Sequence, residues 1–290
     1  MKKFAVIDIG SNSVRLMFVA DGKVLYKTLK TTRLGEGLAQ TNRLKPQAVE
    51  RSALAVAEFV SKAQSDGAEQ VFAFATAAVR TAENGQTFVE RAREICGIEV
   101  DVVSGEEEAE LGLLGALGNR DGFVLDIGGA SSELVGRTDG KTVYKRSVDV
   151  GVVRLKDVCG RDEKALKAYT RDAVKGYGHV PLVGDVYAIG GTATTLASIT
   201  LGLTEYDSAR ITGAVITTEE MQTLSDKLLK TSVEEIAKMP CMPTGRADVL
   251  AGGAVWLTQI MHALRISKII VSDQDNLEGY AIKKGWMDGV

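Results

Sequence analysis

Apolar runs and amphipathic stretches alternate along almost the whole chain. Residues 4–9 are continuously apolar but for Asp8, 10–13 are turn-like, and 14–20 make a second strand. Asp21-Gly22 is a strong hairpin signal before a third strand over 23–32, and 33–38 reads as a loop. Pro46 suits a first helical turn, and Val49, Ala53, Val56, Val60 and Ala63 share one face of a helix over 48–63 that Gly67 closes. Residues 70–75 form a strand, 76–80 lead into a helix to about 95, and 98–103 form another strand. Ser104 with Glu107 three residues on is a capping box for a helix to about 117.

The pattern then starts again. Shifting the chain by 118 residues aligns 4–27 with 122–145 without a gap, and eleven of the twenty-four positions are identical, among them Asp8/Asp126, Gly10/Gly128 and Ser13/Ser131. A repeat at the period of a small domain implies two related domains. Hairpin chemistry shared by two unrelated strand pairs is the weaker explanation, because the register holds through both strands. After the second hairpin come helices over about 153–159 and 162–177, a strand over 185–189, and Gly190-Gly191-Thr192 opening a helix. Residues 211–216 read as a strand, and Thr218 as the cap of a helix to about 229, with a short helix over 233–239. Pro240 and Pro243 mark a loop before a long apolar helix from 245–248 to about 264, then a strand over 268–272 and a helix over 276–286. Hairpins followed by alternating helices and strands, twice, predict an α/β chain of two domains, 1–118 and 119–290, each a mixed sheet flanked by helices. The last helix, about 276–290, is a candidate to pack back on the first domain. Both acid-bearing hairpins would face a cleft between the domains.

Composition narrows the function. With 45% hydrophobic and 25% charged residues, 290 residues build a sizeable soluble core. A net charge of −3 provides no field for DNA or an acidic membrane, so a polyanionic ligand needs a local basic lining. No apolar run spans a membrane, and the N-terminal run meets Asp8 too early for a signal peptide, so a cytoplasmic location is expected. Cys96, Cys159 and Cys241 are too scattered for a disulfide framework, and His179 and His262 have no partner at metal-ligand spacing.

The chemistry lies in the turns. Gly10-Ser11-Asn12-Ser13 and Gly128-Gly129-Ala130-Ser131-Ser132 are small enough for backbone N–H groups to approach an anion, and Asp126 and Glu133 at the rims of the second can hold a hard cation such as Mg2+. An ordinary glycine-rich hairpin reads the same way. Gly190-Gly191-Thr192 between a strand and a helix offers free N–H groups and a hydroxyl, or is simply a tight turn. Glu106, Glu107 and Glu108 crowd a first helical turn, where acids compensate the helix dipole whatever else they do.

These turns resemble the phosphate-1, phosphate-2 and adenosine loops of the actin, sugar-kinase and Hsp70 superfamily, whose domains are actin-like (ribonuclease H-like). More narrowly, IDIGSNSVRL (7–16), TRLGEGL (32–38), ATAAVRTAEN (75–84), VSGEEEAELGLLG (103–115), LDIGGASSEL (125–134), GVVRL (151–155), AIGGTATTLA (188–197) and GRADVLAGGA (245–254) resemble, in order, segments of the exopolyphosphatase / guanosine pentaphosphate phosphohydrolase family. The length is similar to its short members, without C-terminal helical domains. The resemblance implies an interdomain active site and Mg2+-dependent hydrolysis of a terminal phosphoanhydride, of polyphosphate or a phosphorylated guanine nucleotide. It singles out Glu108 as the residue that activates water, Asp126 and Glu133 with Asp8 as metal-associated acids, and Arg80 as a phosphate contact. Gly10, Ser11, Asn12, Ser13, Gly128, Gly129, Ser131, Ser132, Gly190, Gly191 and Thr192 would complete the phosphate site. A homodimer is the expected assembly.

Three positions depart from the family pattern. Ala130 replaces a glycine, and at a positive φ its Cβ would strain the turn. Asp275 and Leu277 stand where the family has glycine and arginine, so a cation is lost and an acid gained, which points to a shorter phosphoanhydride or weak activity. Two other functions compete: an ATP-dependent kinase of the same superfamily, and a non-catalytic alarmone or polyphosphate binder.

Overall fold

The structure is a computed structural model and describes residues 2–288. It opens with the expected three strands, β1 (Lys3–Ile9), β2 (Ser13–Ala20) and β3 (Lys23–Thr31), followed by α1 (Leu38–Thr41), α2 (Pro46–Ser65), β4 (Gln70–Ala75), α3 (Ala77–Thr81), α4 (Gly85–Cys96) and β5 (Val100–Val102). These strands form one mixed sheet in the order β3-β2-β1-β4-β5, with the first three antiparallel and β4 and β5 parallel to β1. Helix α5 (Gly105–Leu117) leads to β6 (Gly122–Ile127), β7 (Ser132–Thr138), β8 (Lys141–Val148), α6 (Val152–Cys159), α7 (Glu163–Ala173), β9 (Val186–Ile189), α8 (Gly190–Thr200), α9 (Ser208–Ile211), β10 (Val215–Thr217), α10 (Thr218–Lys230), α11 (Val233–Ala237), α12 (Ala247–Ala263), β11 (Lys268–Val271) and α13 (Asn276–Lys283). The second sheet runs β10-β11-β9-β6-β7-β8. Two mixed sheets flanked by helices are the α/β, actin-like arrangement anticipated above.

The repeat is physical as well as textual. Both hairpins turn on an Asp-Gly pair at positive φ, 50° and 74° at Asp21-Gly22 and 51° and 70° at Asp139-Gly140, the backbone that matches strand twist. Each also slips register at one equivalent place, between Phe18 and Val19 and between Gly136 and Arg137.

Local signals also misled in places. Ile211 ends a short helix instead of starting a strand, because the Asp207 side chain caps Ala209 and Arg210 and Gly213 turns the chain at φ 89°. The helix read through 76–95 is broken after Thr81, and α10 is capped by Thr217, with Glu220 closing the box, one residue before the expected Thr218. The last helix ends at Lys283; of its expected span, 289 and 290 lie outside the described residues.

The layers decide where the site sits. One face of the first sheet packs on α2 and α4 through Ile7, Leu16, Val56 and Phe88. Its other face, Phe4, Val6, Met17 and Phe74, receives Leu277 and Tyr280 of α13 together with Leu111 of α5. Helix α5 buries Ala109, Leu113 and Leu117 against Val124, Val135 and Ile189 of the second sheet, whose opposite face holds the largest core, around Trp256, Leu155 and Leu196. So α5 and α13 form the layer between the sheets, and they touch backbone to backbone. A methyl on Gly115 would overlap the carbonyl of Asp275, and one on Gly279 the carbonyl of Leu111. Away from this layer the halves are tied by Arg33 on Asp248 (2.8 Å), which Lys156 of the second half also holds (2.6 Å), and by the Gly37 N–H donating to Asp157 (2.8 Å). Gly115→Ala is therefore expected to overpack this layer and cost about 1–3 kcal/mol, read as a drop of several degrees in thermal melting; an unchanged melting point would mean the helices do not approach this closely.

Candidate active site

The two hairpin turns are built alike and face each other. The Gly10 N–H donates to the Ser13 carbonyl and the Gly128 N–H to the Ser131 carbonyl, both at 3.0 Å. This closes each turn on itself, and among the described residues the N–H groups of Ser11, Asn12, Gly129 and Ala130 meet no protein acceptor. Ala130 is not at positive φ, nor are its neighbours Gly128 and Gly129. The expected strain is absent, because what this turn demands is room and not a left-handed backbone. The room is needed at Gly129, where a Cβ would lie 2.7 Å from that of Ser11 in the opposite turn.

A third turn completes the enclosure. Gly190 sits at φ 78°, where any Cβ would strike the Asp126 carboxylate, and it begins α8 with the free N–H groups of a helix start. Thr192 donates its hydroxyl to the Ile127 carbonyl (3.1 Å) and so fixes this turn to the end of β6. Together the turns wall a cavity of about 80 Å³, lined also by Asp8, Arg15, Thr76, Glu108, Asp126, Arg246 and Asn276. A water needs roughly 10–15 Å³ of such space, so the cavity has room for a phosphoryl group and an attacking water, not for a chain.

The acids on its walls are not equivalent. In the first hairpin Asp8 faces Arg15 across the strand pair, and Arg15 binds it through Nε (3.0 Å) and Nη2. In the second hairpin the same two positions are Asp126 and Glu133, two carboxylates face to face. Like charges directly opposite are unfavourable, and here both are buried. Burial, with Asp275 nearby, raises Asp126 to about 6 against the pull of Arg15 and the Asn276 amide. Burial and then Glu108 and Asp126 push Glu133 well above the ordinary carboxylate range. Glu133 accepts from Ser147 (2.6 Å) at one oxygen, and its other oxygen is buried without a partner among the described residues.

Glu108 separates from its neighbours in the same helical turn. Glu107 closes the capping box with Ser104 and reaches Lys283, and Glu106 pairs with Lys145, so these two serve the helix and its surface. Glu108 points inward, is 5% exposed, and accepts from Arg80 at 2.9 Å. Burial outweighs that guanidinium, Asp126 and Asp8 add to it, and the carboxyl rises to about 7.

Of the residues read from the sequence, Asp8, Gly10, Ser11, Asn12, Ser13, Glu108, Asp126, Gly128, Gly129, Ser131, Gly190, Gly191 and Thr192 line the cavity. Three do not. Arg80 stands behind Glu108, also donating to the Val103 carbonyl (2.9 Å). Glu133 lies behind Asp126. Ser132 is core: its hydroxyl donates to the Val150 carbonyl and accepts from the Trp256 indole (2.8 Å). Arg15, Arg246 and Asn276 were missed. The first two sit inside quoted segments, and the repeat already sets Arg15 against Glu133. Arg246 is 8% exposed, packs over Gly191, and its guanidinium makes no hydrogen bond or ion pair among the described residues. Burial and the nearby Arg15 lower it to about 10, the mark of a cation without its anion. Asn276 had no sequence signal. Leu277 is buried in the core on the first sheet, and Asp275 pairs with Arg15 and caps α13. Their departures from the family pattern thus have structural roles.

Sequence and structure comparisons agree with this geometry. A sequence model of the Ppx/GppA phosphatase family matches residues 18–284. Exopolyphosphatase 2 of Mycobacterium tuberculosis is 28% identical over 97% of this chain and 98% of its own length. The crystal structure of an exopolyphosphatase-like protein superposes with a TM-score of 0.89 at 26% identity, covering 98% of both chains. That of the Aquifex aeolicus Ppx/GppA family member does so at 0.79 and 27%, covering 98% of this chain and 97% of its own. On these grounds the chain belongs to the Ppx/GppA phosphatase family.

Proposed function

We propose that this chain hydrolyses the terminal phosphoanhydride of inorganic polyphosphate, releasing orthophosphate, with water activated by Glu108. The observation that carries the reading is Glu108 itself, a buried carboxylate raised to about 7 on the wall of a phosphate-sized cavity whose turns offer unengaged N–H groups. A base poised near neutral pH is ionised often enough to accept a proton and basic enough to take it.

The water oxygen attacks the terminal phosphorus as its proton passes to Glu108. The bond from phosphorus to the bridging oxygen breaks, and that oxygen leaves with its electron pair on the shortened chain. The N–H groups of Ser11, Asn12, Gly129 and Ala130 and the Arg246 guanidinium stabilise the charge on the transferring oxygens. Arg80 holds Glu108 in line by the 2.9 Å bond.

Mg2+ fits the residues present. Three acids line the cavity against two cations, and one of those, Arg15, is already spent on Asp8 and Asp275. Among the described residues no group of three or more acids, histidines or cysteines forms a ready-made metal cage, which suits Mg2+, held as it is by one or two carboxylates plus waters and substrate phosphates. Asp126, which lines the cavity, would be the first holder. Asp8, with one buried oxygen that has no hydrogen bond among the described residues, would be the second. When bound, the cation neutralises phosphoryl oxygens that this acidic cavity would otherwise repel.

One observation favours phosphorylated guanine nucleotides as a second substrate. A cavity of about 430 Å³ adjoins the first, sharing Arg15, Gly190, Gly191 and Arg246, and its walls include Leu29, Met242, Pro243, Leu277 and Tyr206. A pocket of that volume and lining suits a nucleoside better than a bare polyanion.

The direct test is phosphate release, with Mg2+, from long polyphosphate, tripolyphosphate, guanosine pentaphosphate, ATP and pyrophosphate. Release from polyphosphate is expected, and release from none of them would end the hydrolase reading. Glu108→Gln is expected to abolish turnover. In the wild type, kcat/KM should climb with pH through an acid limb near 7, the range in which Glu108 ionises. Stability has the opposite sign: the folded state holds Glu108 at about 7, above its ordinary 4.5, so its contribution is lost as pH rises from about 4.5 to about 7, and Glu108→Gln loses stability less steeply than the wild type, keeping only the part due to Asp126 and Glu133. A limb that persists in a residually active Glu108→Gln belongs to another group. Arg246→Met should raise KM for the phosphate substrate by about 10- to 100-fold, the loss of a charge-assisted hydrogen bond, while raising the melting temperature by removing an uncompensated buried charge; an unchanged KM would take Arg246 out of the phosphate site.

A further inference from the structure

We infer that Asp275 and Asn276, at the start of α13, are positioning residues that aim the two aspartates of the cavity. The inference rests on the hydrolase reading for its kinetic test only. Asn276 is 3% exposed and donates its amide Nδ2 to Asp126 Oδ2 at 2.9 Å. That occupies the oxygen on the α13 side and leaves Oδ1 beside Gly190 on the cavity wall. Asp275 works through Arg15. Its Oδ2 holds Nη1 of the guanidinium, whose Nε and Nη2 both bind Asp8 Oδ2, so that Asp8 Oδ1 alone is left without a hydrogen bond. In each aspartate one oxygen is engaged from α13 and the other is left available.

The dipeptide is itself held firmly. Asp275 caps α13 through the Leu277 N–H (3.0 Å) and receives the Glu278 carboxylate on its own N–H (3.0 Å). Glu278 in turn pairs with Lys27 of β3 at 2.6 Å. The Asp275 carbonyl rests on Gly115 and the Asn276 side chain on Gly112, both in α5, the helix that carries Glu108. One helix start therefore references all three cavity acids to a common frame, with no side chain of its own required to touch the phosphate.

Asp275→Asn and Asn276→Ala test this. Asparagine keeps the cap but not the charge that holds Arg15, and alanine removes only the amide. Each variant is expected to melt close to the wild type, to lose about 10- to 100-fold in kcat, as when outer partners of a catalytic ligand are removed, and to keep its substrate KM within about threefold. Crystals of the variants should show the Asp126 carboxylate turned in Asn276→Ala and Asp8 with Arg15 displaced in Asp275→Asn. Wild-type kcat in both variants overturns the positioning role while leaving the hydrolase reading intact. A loss of kcat that only follows a loss of melting temperature also overturns it. If the wild type releases no phosphate from any anhydride, the hydrolase reading falls, and carboxylate orientation in the variant crystals decides the positioning role: unchanged orientation refutes it.

Discussion

The close approach of α5 to α13 is the constraint on which the rest depends. Two sheets that each bury one face on outer helices still have their inner faces to cover, and this chain covers both with a single shared layer. Side chains of ordinary size would hold those two helices 8–10 Å apart. Glycines at 115 and 279 let backbone meet backbone, so the start of α13 packs on the second half of α5, antiparallel to it, while Lys283 at the far end of α13 reaches Glu107 in the first turn of α5. Glu108 and Asn276, one from each helix, both line the cavity between the hairpin turns. The catalytic geometry is thus a by-product of how the inner layer closes, and the acids inherit their precision from helix packing more than from the loops that display them.

Electrostatics explains why such a packed place is reactive and not merely stable. The duplicated hairpins share strands, turn and bulge, yet differ in the charge that faces the aspartate. Arg15 neutralises Asp8 in the first, and Glu133 confronts Asp126 in the second. A buried pair of like charges costs stability unless a proton or a cation resolves it. The protein keeps this cost together with a buried arginine that has no anion among the described residues, and a phosphate-bearing ligand with a divalent cation would satisfy both deficits at once. Stability is given up where chemistry is done.

Much of this was legible in the sequence, and the reasons differ by level. The sheets could be read because period-two and period-3.6 patterns are long and unbroken, and the repeat exposed the symmetry without any alignment. The turn residues were found because an anion site needs small residues next to an acid, a pattern visible within ten residues. Glu108 was different. Three glutamates share its helical turn, and in the sequence only the family resemblance singled Glu108 out; the physical difference from Glu106 and Glu107 is burial, a product of the whole inner layer. Asn276 could not be found at all, since it meets Asp126 from 150 positions away. The worry over Ala130 came from treating every glycine in a turn as a demand for positive φ, whereas the neighbouring Gly129 answers a contact with the other hairpin. Leu277 looked like a lost cation and is a core residue. In both cases the sequence showed a departure, and only packing could say what it meant.

A cleft between two equal jaws would have no front and no back. The exchange of Arg15 for Glu133 across the repeat gives it both. Glu108 lines only the smaller cavity, whereas Arg15 and Arg246 line both it and the larger neighbouring one. Under the proposed chemistry, water is activated at the end that holds Glu108 and the leaving oxygen departs toward the larger cavity, so the molecule acts with a polarity that two like halves would not possess. Duplication built the enclosure, and one diverged charge turned it into a single reactive centre that shortens a chain from its end.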